Sequence, residues 1–454
     1  MKEYIFLFLI STVFSYLTFP LNVEFQEITN KDNQTDIIKK LKDRKLYITM
    51  NIGSEKSNVK TYIVLSKNEL YIAGKNVKNH QYDESASSSY NCSDCSKRNF
   101  EYAMYKEGVF SFESFNIKNG EDKEQTVNNI SFILGVSSNW ENPLEGEIGL
   151  HLPYPGSFKE YNFILNLKLA NATNSYNWYL DFDNFSNGGG KLVVDGFPHV
   201  LNEKLYNKEK FSIIEAIYSG YTYNWGIIFD SIYYNEQAFE LSKVLKTSFE
   251  FDYGLISAPD EVAKALENSF FNKYISNNIC FRQNFGVYKE SFIYCKNTKE
   301  FNPKEFQSIY FKSKKLEIIF ELDYQDLFYY KDDFVYFLII FKGDESIWRL
   351  GEVFLKKYYI VFNQDSKTMG YYQGMEKEKE RNKESSFDIK YFILIVILVL
   401  ILIALIVVAI FFYKKRGPRK TRANELDDDD YDYQAKNDEN ENKKISLIRQ
   451  SNIN

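Results

Sequence analysis

The chain has 454 residues, with 56 basic and 62 acidic side chains and a formal net charge of −6. That length is enough for two lobes with real cores, and the near balance of charge gives no reason to expect a nucleic-acid partner. The 36 tyrosines and 39 phenylalanines suit an aromatic-rich β core.

In chain order, Tyr4 to Phe14 (YIFLFLISTVF) follows Lys2. It is too short to span a bilayer and has the form of a signal-peptide core, with Val13 and Ser15 suiting cleavage after Ser15. Residues 1–15 are therefore expected to be a signal peptide. From Leu46 to Tyr372 short aromatic and β-branched runs alternate with Gly, Asn and Asp turns, as in FSFESFNI, NISFILGVS, KLVVDGF and KLEIIFEL. Helical period is clearest at Asp260 to Phe271, just after Pro259. Residues 373–390 form a charged stalk of alternating Glu and Lys. Phe392 to Phe412 is a run of 21 apolar residues without a charge, which predicts a transmembrane helix over 391–413. Lys414, Lys415, Arg416, Arg419, Lys420 and Arg422 follow it. Positive residues stay cytoplasmic, so 414–454 is expected inside as a polar tail and the N-terminal part outside or lumenal.

Sequons at Asn33, Asn91, Asn129, Asn171 and Asn184 all fall on the side where glycosylation occurs. The cysteines form two local pairs, Cys92 with Cys95 and Cys280 with Cys295, and an even count in a secreted region favours bridges. His80, His151 and His199 are scattered without metal-ligand spacing, so neither a metal nor a cofactor is expected. No G-x-S-x-G, G-x-G-x-x-G or P-loop occurs.

The stretch IWRLGEVFLKKYYIVFNQDSKTMGYY, Ile347 to Tyr372, closely resembles the last strands of pepsin-like aspartic peptidases, with Gly351, Tyr358, Tyr359, Val361, Phe362 and Gly370 in place. Leu46 to Gly53 resembles the family's opening strand. Glu69-Leu-Tyr-Ile72 resembles the segment after its first active-site loop, and Tyr82 to Tyr90 its F-d-p-s-S-S-t-y stretch. Phe132 to Gly135 and Glu145 to Leu150 resemble the strands completing the first lobe. Tyr223 to Trp225 and Ile228 to Ile232 resemble those opening the second. The resemblance implies a mostly β, bilobal acid-protease fold with an inter-lobe cleft, its lobes at 16–200 and 201–372. Residues 16–45 are too few for an inhibitory prosegment of the usual length plus a first strand.

In this family two aspartates, each in a D-T-G-[S/T] loop, share one proton across the lobe interface. Counting back from Leu70 puts Val64 at the first catalytic position, and no Asp occurs from Asn51 to Gln81. Glu69 is the nearest carboxylate and sits five residues late. At the second position the count from Leu255 gives Glu250, whereas a two-residue deletion gives Asp252-Tyr253-Gly254. Under either, at most one dyad carboxylate survives. Tyr102 is the candidate flap tyrosine, without the usual tip glycines. The expectation is a type I membrane glycoprotein with a catalytically inactive ectodomain, which either holds an extended peptide or protein segment in its cleft or serves as an adhesion or surface-coat protein through its glycans and outer surfaces. The alternative is an active membrane-bound aspartic endopeptidase working at acidic pH.

Overall fold

Alternation builds the first sheet. Strand β2 (Lys45–Ile52) buries every second side chain, Leu46, Ile48, Met50 and Ile52, as a half-buried strand should. The structure is a computed structural model and describes residues 16–373 except 66, 101–104, 139, 154–156, 183–189, 220–221, 235–236, 239–245, 252, 287–288, 314–317 and 344–346. The expected signal peptide, Tyr102, Asn184, Asp252 and residues 374–454 with their predicted membrane span thus lie outside the described residues. Among those described, no helix is long and apolar enough to cross a membrane.

The fold is mostly β, as expected, and bilobal. Its first half contributes β1 (Leu17–Glu24), β2, β3 (Ser57–Val64), β4 (Leu70–Ala73), β5 (Asn91–Asn99), β6 (Tyr105–Asn119), β7 (Glu124–Ser138), β8 (Gly146–Gly149), β9 (Asn177–Asp181) and β10 (Lys191–Val194). The second half contributes β11 (Phe211–Glu215), β12 (Lys246–Phe249), β13 (Ile256–Pro259), β14 (Ile339–Lys342), β15 (Ile347–Leu350), β16 (Val361–Asn363) and β17 (Thr368–Tyr372), with further short strands around them.

A shared sheet joins the halves. Within it the series β11-β17-β16-β9-β10-β1 reads alike from either end, one strand and then a hairpin, with β16 and β9 paired at the centre, and from β1 the sheet continues into β2. There Trp178 lies opposite Phe362 in register, and their rings stack with centroids 4.3 Å apart. Trp225, Phe249 and Phe251 close around this pair. One apolar cluster therefore runs through both lobes.

Helix α1 (Gln34–Lys42) interrupts the path from β1 to β2. Asn33 caps it and Asp36 reaches back, a capping box that satisfies two otherwise orphaned donors. Its Ile37, Ile38 and Leu41 are buried with Leu255, Phe285, Phe292, Tyr336 and Ile340 of the second half. Residues 16–45, expected only to lack room for a prosegment, thus supply a strand of the shared sheet and a helix docked on the other lobe.

Helix α2 (Phe163–Leu169) lies in the first half, and the short helix α3 (Pro198–Leu201) covers the β11 end of the shared sheet. His199 there meets the Tyr372 hydroxyl at 2.8 Å. Burial, then Lys208, hold the His199 pKa below its ordinary value of 6.5, against Glu203, which raises it. The unfolded chain then takes up the proton first. This contribution to stability is present above pH 6.5 and is lost as pH falls through the lower folded value. Between pH 7 and pH 5 the native protein is expected to lose more melting temperature than His199→Gln. Equal losses in the two proteins would contradict this.

Candidate functional site: two matched loops

Each lobe threads one strand between the two arms of a loop. In the first, β8 lies between β3 (parallel) and β4 (antiparallel), and β4 pairs onward with β7 in parallel. In the second, β15 lies between β12 (parallel) and β13 (antiparallel), and β13 pairs onward with β14 in parallel. The registers match residue for residue. Ile148 faces Ile63 and Leu70, while Leu350 faces Phe249 and Ile256. One step beyond Ile63 and Phe249 stand Val64 and Glu250, each six residues before its returning arm.

The next side chains, Leu65 and Phe251, are both buried in the shared core, and Phe251 packs edge-on to Trp178 at 5.6 Å. Gly149 and Gly351 follow Ile148 and Leu350, and each lies so close to its loop backbone that a Cβ would overlap it. The first loop is also tied to the second half of the chain. The Trp225 indole N–H donates to Leu150 O at 2.7 Å, and the Gln364 amide reaches His151 O at 3.4 Å.

Around these matched backbones the side chains differ. Val64 is half-buried and its carbonyl accepts from Leu150 N at 3.0 Å. Glu69 turns into the first lobe and is buried. Its carboxylate accepts from Phe158 N at 3.1 Å and, with the Asn68 amide turned to satisfy both groups, from Asn68 Nδ2 at 2.7 and 2.9 Å. The Asn162 amide in turn donates to Asn68 O at 2.8 Å. Lys67 pairs with the buried Glu147 carboxylate and sits 5.2 Å from the Tyr71 ring centroid. Burial, then the Glu24 carboxylate it donates to, raise the pKa of the neighbouring Tyr62 hydroxyl, which therefore stays a donor.

In the second loop Glu250 accepts from Ser248 Oγ at 2.9 Å, and Arg349 Nη1 stands 3.8 Å from the same carboxylate oxygen. The end of α1 is seated on this loop. Gly254 N donates to Lys42 O at 2.9 Å, Lys42 pairs with Glu290, and Arg44 approaches Glu352 at 3.4 Å. Sequence reasoning missed α1, the Lys67–Glu147 pair and the place of Arg349 beside Glu250. The Asn33 and Asp36 spacing was the one available signal for α1.

Both expected disulfides are formed, Cys92–Cys95 and Cys280–Cys295. Asn33, Asn91, Asn129 and Asn171 are all exposed. Among the described residues no group of His, Cys, Asp and Glu is placed to hold a metal ion.

No curated protein matches the chain. The family model described as eukaryotic aspartyl protease matches residues 44–373, a span that contains both threaded loops and the central strand pair of the shared sheet. Two halves of one repeated loop architecture fall inside that single match, and the chain belongs to the eukaryotic aspartyl protease family.

Proposed function

We propose that this aspartic protease domain is catalytically inactive, is carried by a type I membrane glycoprotein, and uses its inter-lobe cleft to hold an extended peptide or protein segment. The observation that supports the reading is the matched register of the two loops, in which Val64 and Glu250 each stand one step beyond Ile63 and Phe249. Glu250 rather than Asp252 then takes the second catalytic position, because the two loops have equal length and need no deletion.

The chemistry follows from that pairing. Valine neither ionises nor hydrogen-bonds, so no proton is shared across the interface. The Glu250 carboxylate accepts from Ser248 Oγ and stands 3.8 Å from Arg349 Nη1, and Val64 at the equivalent position of the first loop supplies no acid to protonate a scissile carbonyl. Glu69 is committed to buried donors and does not replace Val64. A groove without the chemistry still offers strand-like backbone and side-chain contacts to an extended chain.

The test is peptide hydrolysis and pepstatin binding by the full-length protein from pH 3 to pH 7. Loss of one member of a coupled pair costs on the order of 10³- to 10⁶-fold in turnover, so no cleavage above background is expected. Efficient acidic cleavage blocked by pepstatin would instead establish an active membrane-bound endopeptidase.

A further inference from the structure

An exposed apolar patch lies where the chain leaves the domain. Strand β11 is the outer strand of the shared sheet, and its Ile213 is 65% exposed. Val200 and Leu201 of α3 are 47% and 37% exposed. The two elements are packed together: Phe197 meets Phe211 edge-on at 5.5 Å, and His199 lies 5.8 Å from the same ring. The last described residue, Gln373, donates its N–H to Lys210 O at 2.8 Å, one residue before β11. The chain therefore exits beside this patch.

Between that exit and the apolar run beginning at Phe392 lie 18 residues, 374–391. Even fully extended, a chain of that length reaches no farther than about 65 Å. A domain tethered so closely meets the bilayer at a high effective concentration, and a weak contact is then enough to orient it.

We propose that the α3–β11 face rests on the lipid bilayer, with Val200, Leu201 and Ile213 in the interfacial layer. The proposal rests on the reading of Phe392 to Phe412 as a membrane anchor. The charges around the patch define the kind of contact. Exposed Lys204, Lys208 and Lys210 are matched by exposed Glu203, Glu209 and Glu215. The face carries no net positive charge to seek anionic headgroups, so the contact depends on apolar area.

The test uses the full-length protein in phosphatidylcholine vesicles. Ile213→Trp is compared with Ile319→Trp, a similarly exposed position (56%) on a different sheet. Brominated phosphatidylcholine is expected to quench the added fluorescence at 213 at least about twofold more than at 319. Adding phosphatidylserine should leave that ratio unchanged. Equal quenching at both positions, in protein that resists alkaline extraction, overturns the contact and leaves the anchor standing. Extraction of the protein from the vesicles overturns both. Quenching that requires phosphatidylserine overturns the apolar contact. So does a tryptophan at 213 shielded from both lipid bromine and aqueous acrylamide, which would mean a second copy covers the strand.

Discussion

Gly351→Ala is expected to destabilise the protein by about 3 kcal/mol or more, near the upper end for overpacking. A methyl group there would lie 2.1 Å from Leu255 O and 2.2 Å from Tyr253 O. These are backbone atoms of the second loop, and they cannot swing aside as a side chain can. Both arms of the loop are also bonded in place. Glu352 N donates to Tyr253 O and Glu250 N to Leu350 O, at 2.9 and 3.2 Å. Relief requires the loop to move as a unit, which would carry Glu250 away from Arg349. Gly149→Ala is its counterpart in the first lobe, with a Cβ 2.6 Å from Lys67 C and O. Its overlap is smaller, and about 2 kcal/mol is expected. Gly343→Ala serves as the control, because among the described residues its nearest neighbour would be the Lys289 Cβ at 3.8 Å. Urea unfolding of the three variants measures the order. A Gly351→Ala loss no greater than that of Gly343→Ala would refute the close-approach argument.

The same contacts explain what was legible in the sequence. Gly351, Trp348 and Tyr358 each meet a tight local demand. The glycine clears the loop backbone, and the tryptophan is fully buried. The Tyr358 hydroxyl both accepts from Glu321 N and donates to Glu321 O. Residues under such demands keep their identity in a recognisable string, and the terminal strands could be read directly. The choice between Glu250 and Asp252 could not. It depends on whether a loop is two residues shorter, and no single residue in Glu250 to Gly254 decides that. Ladder register adds what the string lacks: Leu350 faces Phe249 on one side and Ile256 on the other, which makes Glu250 the equivalent of Val64 in loop position. Helix α1 escaped notice for a different reason. With nine residues its apolar stripe is only Ile37, Ile38 and Leu41, too little to display a period. What holds it is tertiary: the far lobe supplies the pocket, and sequence distance hides that. The ion pair of Lys67 with Glu147 spans 80 residues and was hidden in the same way.

Trp178→Ala should cost about 3–5 kcal/mol, the range for removing a large buried aromatic. Its indole lies at the centre of the shared sheet, stacked on Phe362 and edge-on to Trp225 and Phe251. Those three rings come from the second half of the chain, so the cavity would open between lobes rather than within one. Among the described residues the buried indole N–H has no hydrogen-bond partner. An unpaired buried donor is itself unfavourable, which separates two variants that both lose the indole. Trp178→Phe keeps most of the ring contact and removes the orphaned N–H, so its expected cost is under about 1.5 kcal/mol. Urea unfolding gives both values. Equal losses would mean that packing at this centre is not what the side chain supplies. The functional consequence runs through Phe251, which follows Glu250 and is backed by Trp178. Withdrawing that support loosens the second loop while leaving the Glu250 carboxylate chemically intact. Trp178→Ala should therefore weaken capture of any segment held by the cleft more than Trp178→Phe does, in proportion to the lost stability rather than to any change in charge.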